Sequence, residues 1–98
     1  MSGPTPGAVA WSLVTRTYDD GYSHRMLYRW ADRTAADVAD HWRDRCRNHG
    51  VPHRWDGDAL IREGSASWQG EVTTWVERTT FHDAPADGVP VHPGAGKC

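Results

Sequence analysis

Cysteine is scarce in this chain, and long apolar runs are absent. Only Cys46 and Cys98 occur among the 98 residues, which is not the paired spacing of a disulfide-rich secreted domain. No apolar run approaches the roughly 18 residues that a membrane span needs. Residues 1–10 also lack the basic start and apolar core of a signal peptide. The sequence therefore predicts a soluble, cytoplasmic protein with no membrane partner.

Motifs of known enzyme and cofactor sites are also missing. The chain contains no G-x-S-x-G nucleophile elbow and no H-E-x-x-H zinc motif, and HPGAGKC at residues 92–98 has only part of the P-loop spacing. Six histidines are present, but no pattern ties any of them to a nucleophile. We therefore expect a non-enzymatic protein that carries no cofactor.

The charge balance favours neither nucleic acid nor an anionic membrane as a partner. The formal net charge is −2, and ten of the 11 basic residues are arginine, which suits planar and bidentate contacts better than lysine does. The hydrophobic fraction of 38% is low, but six tryptophans offset it, because each aromatic side chain buries about 150–250 Å². These features predict one small domain with a tryptophan-rich core.

Composition divides the chain into a body and two tails. Residues 1–8 and 84–98 are rich in proline, glycine and alanine and offer little apolar surface. We expect both segments to be flexible tails around a single domain at residues 9–83.

The stretch WSLVTRTYDDGYSHRMLYRW at residues 11–30 predicts a β-hairpin. Its Asp-Gly pair between alternating runs is typical of a two-residue type I′ turn. That turn would place Trp11 opposite Trp30 and Arg16 opposite Arg25, with Glu71 or Glu77 nearby to balance the two arginines. A three-residue loop is the alternative, but it mixes the two faces and buries less apolar surface on either side. In the favoured register one face carries Trp11, Leu13, Met26, Tyr28 and Trp30 with Thr15, Thr17 and His24, and the other carries Ser12, Val14, Arg16, Tyr18, Ser23, Arg25, Leu27 and Arg29.

Residues 34–49 form the one convincing helical pattern. Thr34 is suited to the N-cap, Asp37 to the positive helix end and Gly50 to the position after the last turn. The apolar residues recur at spacings of three and four, which predicts one buried stripe. We expect Trp42 to anchor this stripe on the sheet against Trp11, Tyr28 or Trp30. The stripe consists of Ala35, Val38, Ala39, Trp42 and Cys46.

Two further strands follow the helix, at residues 58–63 and 71–81. Segment 64–70 fits either a long hairpin loop or an extension of one strand. The predicted order is therefore ββαββ. It indicates an α+β fold of two layers, an antiparallel four-stranded sheet with the helix on one face.

A single helix covers only one face of such a sheet, and this leaves an apolar surface on the other. Exposed patches that mix aliphatic, tyrosine and arginine side chains are typical of protein interfaces. We therefore expect a protein partner or a second copy of the chain to bind the open face. Nucleic acid, stacked on an arginine and tyrosine platform, is the alternative. The predicted partner-binding residues are Val14, Arg16, Tyr18, Arg25, Leu27 and Arg29.

A zinc site is the weakest candidate in the sequence. Cys46, His49 and His53 are suitable ligand types at workable spacings, but they supply only three ligands and no C-x-x-C pair accompanies them. Because Cys46 lies on the apolar stripe of the helix, we expect it to be a buried structural residue and the protein to bind no metal.

Overall fold

The computed structural model describes residues 5–92, which form one helix and one antiparallel sheet. The sheet order is β2-β1-β5-β4-β3. The α+β class with a single helix is confirmed, but the four-stranded sheet is wrong, because a fifth strand follows the helix. No helix in this part of the chain is long and apolar enough to cross a membrane. The elements are β1 (Val9–Tyr18), β2 (Ser23–Ala31), α1 (Ala35–Asn48), β3 (His53–Asp56), β4 (Ala59–Trp68) and β5 (Glu71–His82).

The additional strand, β3, has only four residues, HRWD, and no apolar alternation that would predict it. It pairs with the start of β4 through a two-residue turn in which Gly57 has a φ of 61°. Glycine at the first central position is typical of a type II′ hairpin turn. The strand thus depends on the pairing that this turn allows.

The segment at residues 64–70 extends β4 as far as Trp68. Its last two residues, Gln69 and Gly70, have φ values of 52° and 83°. Trp68 pairs with Glu71 across them. Positive φ at both central positions is the requirement of a type I′ turn. A two-residue hairpin therefore connects β4 to β5.

The register of the first hairpin differs from the predicted one. Gly21, with a φ of 92°, donates its N–H to the carbonyl of Tyr18 at 3.0 Å, and the Tyr18 N–H donates to the carbonyl of Tyr22 at 2.8 Å. This is a three-residue loop that ends in a left-handed glycine. Asp19 also exchanges backbone and side-chain hydrogen bonds with Thr74 on β5, so a neighbouring strand holds the loop.

The shift of one residue changes which side chains share a face. Trp30 now lies opposite Ala10 and Tyr28 opposite Ser12, whereas the predicted register set Trp11 against Trp30. Small residues opposite large ones leave room for the Trp30 indole, whose Nε1–H donates to Ser12 Oγ at 2.9 Å. Arg16 lies opposite His24 rather than Arg25. Size complementarity under the helix therefore favours the observed register.

The helix begins and ends as its sequence predicts. Thr34 is the N-cap and forms a capping box with Asp37. Hydrogen bonds from the Thr34 backbone and hydroxyl, and from the Thr5 hydroxyl, lower the pKa of Asp37. Gly50 has the left-handed φ of 65° that helix ends favour.

The helix packs over β1 and β5 on one face of the sheet. The core beneath it contains Ala10, Trp30 and Val38, with Tyr28, Trp42 and Phe81 packed around them. The Trp42 ring meets the Trp30 ring edge-on, with 6.4 Å between the centroids. The expected contact between Trp42 and the sheet is therefore confirmed.

Contacts of the packed body extend beyond the predicted domain limits on both sides. The Thr5 N–H donates to the carbonyl of Asp32 at 2.6 Å. Val89 is buried, and Val91 pairs in parallel with Leu27 at the edge of β2. Residues 89–92 therefore pack on the domain, although the sequence placed them in a tail.

Gly64 on β4 makes room for a tryptophan on β5. A Cβ atom at this position would lie 2.6 Å from Cε2 and Nε1 of Trp75. We expect Gly64→Ala to lower the free energy of unfolding by about 1–3 kcal/mol, because the ring must move. Urea denaturation measures the change, with the exposed Ser65→Ala as control. A gain in stability, which alanine normally brings within a strand, would contradict this packing.

Candidate ligand cavity

A cavity of about 230 Å³ lies between the helix and the sheet. Its apolar wall places two indoles and a phenol ring around the space. Trp30 and Leu60 are almost fully buried, at 5% and 1% exposure. The wall is therefore largely preformed, as is typical of small-molecule sites. Its apolar members are Val14, Tyr28, Trp30, Trp42 and Leu60.

The polar wall of the cavity is built around one carboxylate. Arg16 donates to Glu77 Oε2 through Nε and Nη2, at 3.1 and 2.8 Å. Arg62 donates to the other oxygen, Oε1, through Nη2 at 3.1 Å. Three neighbouring strands bring these groups together, because Glu77 pairs with Arg16 on β1 and with Arg62 on β4. Glu77 lies beside Arg16 as expected, but it does not balance a facing pair of arginines, because Arg25 lies on the other face of the sheet.

The charges of this network do not cancel. Two guanidinium groups face one carboxylate, which leaves a formal charge of +1 on the cavity wall. Burial acts to lower the pKa of Arg16, but the hydrogen bonds to Tyr18 and Glu77 outweigh it and raise that pKa above its ordinary value. The ion pair with Glu77 thus favours the charged form of Arg16.

Two buried polar atoms of the wall have no hydrogen-bond partner. They are Nε of Arg62 and Oγ1 of Thr79. Thr79 as a whole is 3% exposed. Because Arg62 pairs with Glu77, two residues from Thr79, the two side chains are diagonal neighbours on one face. Buried polar groups in proteins are nearly always hydrogen-bonded. Both atoms are closed off from solvent themselves, so a polar group in the cavity reaches them only when the side chains that cover them move.

Arg62 also contacts the helix. Its guanidinium carbon lies 4.8 Å from the centroid of the Trp42 ring, and that of Arg45 lies 5.8 Å from the same ring. Cation–π contacts of this kind orient both partners. The Trp42 ring is thus positioned by Trp30 and by these two arginines.

An aromatic cluster lies on the same face near the hairpin tip. The rings of Tyr18, Tyr22 and His24 are stacked at 5.8–5.9 Å, and Trp75 meets Tyr18 edge-on at 5.9 Å. The Arg16 guanidinium lies 4.8 Å from the centroid of Trp75. The rings pack against one another and against the Arg16 guanidinium. The cluster therefore helps to orient Arg16 and does not form a separate cavity.

The opposite face of the sheet carries a broad, open depression of about 1080 Å³. Ile61 in its wall is buried, whereas Val76 is 40% exposed. An ion pair between Arg78 and Asp56, at 2.8 Å, crosses its surface and lowers the pKa of Asp56. Its width and mixed charge suit a macromolecular surface more than a small molecule.

The six predicted partner-binding residues do not share a surface. Leu27 is 1% exposed and pairs with Val91 at the edge of the sheet. Arg25 and Arg29 are exposed on the open face. The shifted register moves the remaining three to the helix side, where two belong to the cavity wall. These three are Val14, Arg16 and Tyr18.

The three weak metal candidates also remain apart. Cys46 is buried and free, His49 caps the exposed end of the helix, and His53 Nδ1 lies 2.8 Å from the carbonyl oxygen of Val51. Within residues 5–92, no group of three histidine, cysteine or acidic side chains is placed to hold a metal ion.

Sequence reasoning missed three of the five polar residues of the wall. Ser12, Arg62 and Thr79 had no assigned role, and Glu77 was expected only as a counter-charge. The available signal was weak, since it consisted of polar residues at alternate positions of strands that also carry buried aliphatics. Such residues identify a site only when the register of three strands is known.

Comparisons with protein-family models, with curated proteins and with solved structures gave no match to this chain.

Neutralising the central carboxylate should destabilise the protein. We expect Glu77→Gln to cost about 1–3 kcal/mol, because two partly buried guanidinium groups lose the negative charge between them and an NH2 donor replaces one of the two acceptor oxygens. The loss should be larger at low salt, where their mutual repulsion is less screened. Urea denaturation at two salt concentrations measures both effects. The exposed Glu63→Gln is the control, and an equal loss in the two variants would contradict this account.

Proposed function

We propose that this protein binds a small molecule in the cavity between its helix and its sheet. The observation that carries the proposal is the pair of unpartnered polar atoms, Arg62 Nε and Thr79 Oγ1, in the wall of an otherwise aromatic space. A buried polar group without a partner costs about 1–3 kcal/mol. A ligand that supplies the partners would recover that free energy on binding.

The module binds its ligand without transforming it. No histidine or cysteine lines this cavity in the described part of the chain. Glu77, the one carboxylate in the wall, has both oxygens engaged by arginines, which leaves it poorly placed to accept a proton. The cavity therefore supports recognition of a ligand.

An NMR titration tests the proposal directly. Benzoate, benzamide, indole and cyclohexanol would each be added to isotope-labelled protein up to millimolar concentration. We expect at least one compound to shift the amide signals of the strands that form the cavity. Filling the space with Val14→Phe should abolish that binding. If Val14→Phe does not fold, Val14→Ile, which adds less volume, takes its place in the experiment.

Val76→Phe is the matched control, because Val76 is an exposed valine on the opposite face of the sheet. It should leave binding unchanged. The proposal fails if no compound binds, or if binding survives in a folded Val14→Phe protein.

We propose self-association as a second function, through the free edge of β4. In residues 5–92, β3 covers only the first four residues of β4, so residues 63–68 have no strand on their outer side. Nearby Trp68 and Val72 are 77% and 64% exposed. An open edge without lysine or proline is a template for pairing, and the same edge of a second copy forms a symmetric antiparallel pair.

Analytical ultracentrifugation at tens of micromolar tests this pairing. We expect a dimer, and we expect the double change Trp68→Ser and Val72→Ser to weaken it. Tyr22→Ser is the control, since Tyr22 is comparably exposed on a different hairpin. A wild-type protein that stays monomeric would refute the second proposal without affecting the first.

A further inference from the structure

We infer that the ligand of this cavity is a small aromatic carboxylate, an inference that rests on the proposed ligand-binding function. Its carboxylate would accept hydrogen bonds from Arg62 Nε and Thr79 Oγ1 once the side chains that cover these two buried atoms move aside. Its ring would pack among Tyr28, Trp30 and Trp42. Three properties of the wall, its charge, its free donors and its aromatic rings, lead to this class of molecule.

The charge of the wall favours an anion. Arg16 and Arg62 share the single carboxylate of Glu77 and leave one positive charge uncompensated. Arg62 and Glu77 keep only 23% and 12% of their side chains exposed, so solvent screens this charge incompletely. A monoanionic ligand neutralises it, whereas a cationic ligand would be repelled.

The free polar atoms call for an acceptor. A guanidinium Nε–H can only donate a hydrogen bond, so the ligand must supply the acceptor atom. The Thr79 hydroxyl can donate to the same group, because Thr79 is a diagonal neighbour of Arg62. Two donors on neighbouring side chains match a carboxylate better than a single carbonyl oxygen, since hydrogen bonds to charged groups are the stronger ones.

The aromatic wall and the volume set the rest of the ligand. Offset-stacked and edge-to-face contacts between rings add attraction beyond that of buried area, and three aromatic side chains line the space. A cavity of about 150 Å³ holds benzene. The same ratio of volume to atoms gives about nine non-hydrogen atoms for 230 Å³. Benzoate has this size and is the natural probe.

Calorimetric titration of the full chain with benzoate and benzamide tests the class of ligand. The two probes share their ring and their size, but only benzoate is charged. We expect benzoate to bind at least about tenfold more tightly. Cyclohexanecarboxylate keeps the charge without the aromatic ring and should bind more weakly than benzoate.

Two conservative variants locate the carboxylate. Arg62→Lys keeps the charge but removes Nε, and Thr79→Val removes only the hydroxyl. Each should weaken benzoate by about tenfold while changing benzamide less. Thr79→Val should also keep or raise the stability of the free protein, because it removes an unpartnered buried oxygen. It therefore remains informative if Arg62→Lys does not fold.

The outcomes separate this inference from the proposed function. If benzoate and benzamide bind equally, and the filled variant Val14→Phe loses both, the cavity binds small molecules but the anionic class is wrong. The class is also wrong if Thr79→Val and Arg62→Lys both bind benzoate as the wild type does. If none of the probes binds the wild type, both the proposed ligand binding and the inference about the class of ligand fail.

Discussion

Replacing Leu27 with aspartate is expected to unfold most of the protein. Leu27 is 1% exposed, lies opposite Leu13 on β1 and pairs on its other side with Val91. The change loses the burial of a leucine side chain, which costs about 2–5 kcal/mol, and places a charge in the vacated space. The total stability of a domain of this size is about 5–15 kcal/mol. We therefore expect a loss of at least about 4 kcal/mol.

Two arginines on the same face do not rescue this variant. Arg25 and Arg29 flank Leu27 on β2 and are both exposed. To reach these arginines, the aspartate side chain must leave the buried position of Leu27. The space that the leucine filled then stays empty. Arg29→Asp is the matched control, because it introduces the same residue on the same strand at an exposed position. Chemical denaturation compares the two, and similar stabilities would show that the Leu27 side chain is not buried in solution.

Trp42→Ala should cost about 3–5 kcal/mol. The indole meets Trp30 edge-on at 6.4 Å and carries the Arg62 guanidinium 4.8 Å from its centroid. Its removal would enlarge the 230 Å³ cavity that it already lines, and cavity volume adds to the cost of lost contacts. The same variant should bind no aromatic probe, since one wall of the site is gone.

Arg47→Ala is the control for this variant, because Arg47 is exposed on the outer side of the same helix. Its effect should stay within about 0.5 kcal/mol. Urea denaturation followed by circular dichroism is the suitable measurement, because the change removes a fluorescent group. A loss below about 1 kcal/mol in Trp42→Ala would mean that other residues hold the helix on the sheet.

The helix could be predicted from the sequence almost to the residue. Its capping box joins Thr34 and Asp37, three positions apart, and its end is set by Gly50. Interactions of this range depend on local backbone geometry and need no knowledge of the sheet. The position of Trp42 on the buried stripe followed from helical periodicity for the same reason.

The strands were predictable only where apolar alternation marks them. β5 and the start of β4 were anticipated, whereas β3, with its polar sequence HRWD, was not. The Asp-Gly pair correctly predicted a hairpin but gave the wrong register. The choice between a two-residue and a three-residue loop depends on contacts beyond the hairpin, such as those between Asp19 and Thr74 and between Trp30 and Ser12.

The amino-acid sequence by itself thus determined the fold class, the helix and the presence of the first hairpin, because each of these rests on local patterns. Only the tertiary structure decided which side chains meet beneath the helix. A shift of one residue in an antiparallel pair moves every side chain of a strand to the other face. The observed register places Val14 and Arg16 on the face of Tyr28 and Trp30 beneath the helix, and the pairing of β1 with β5 sets Glu77 beside Arg16. The candidate site is therefore a consequence of register, which packing between strands far apart in the chain selects.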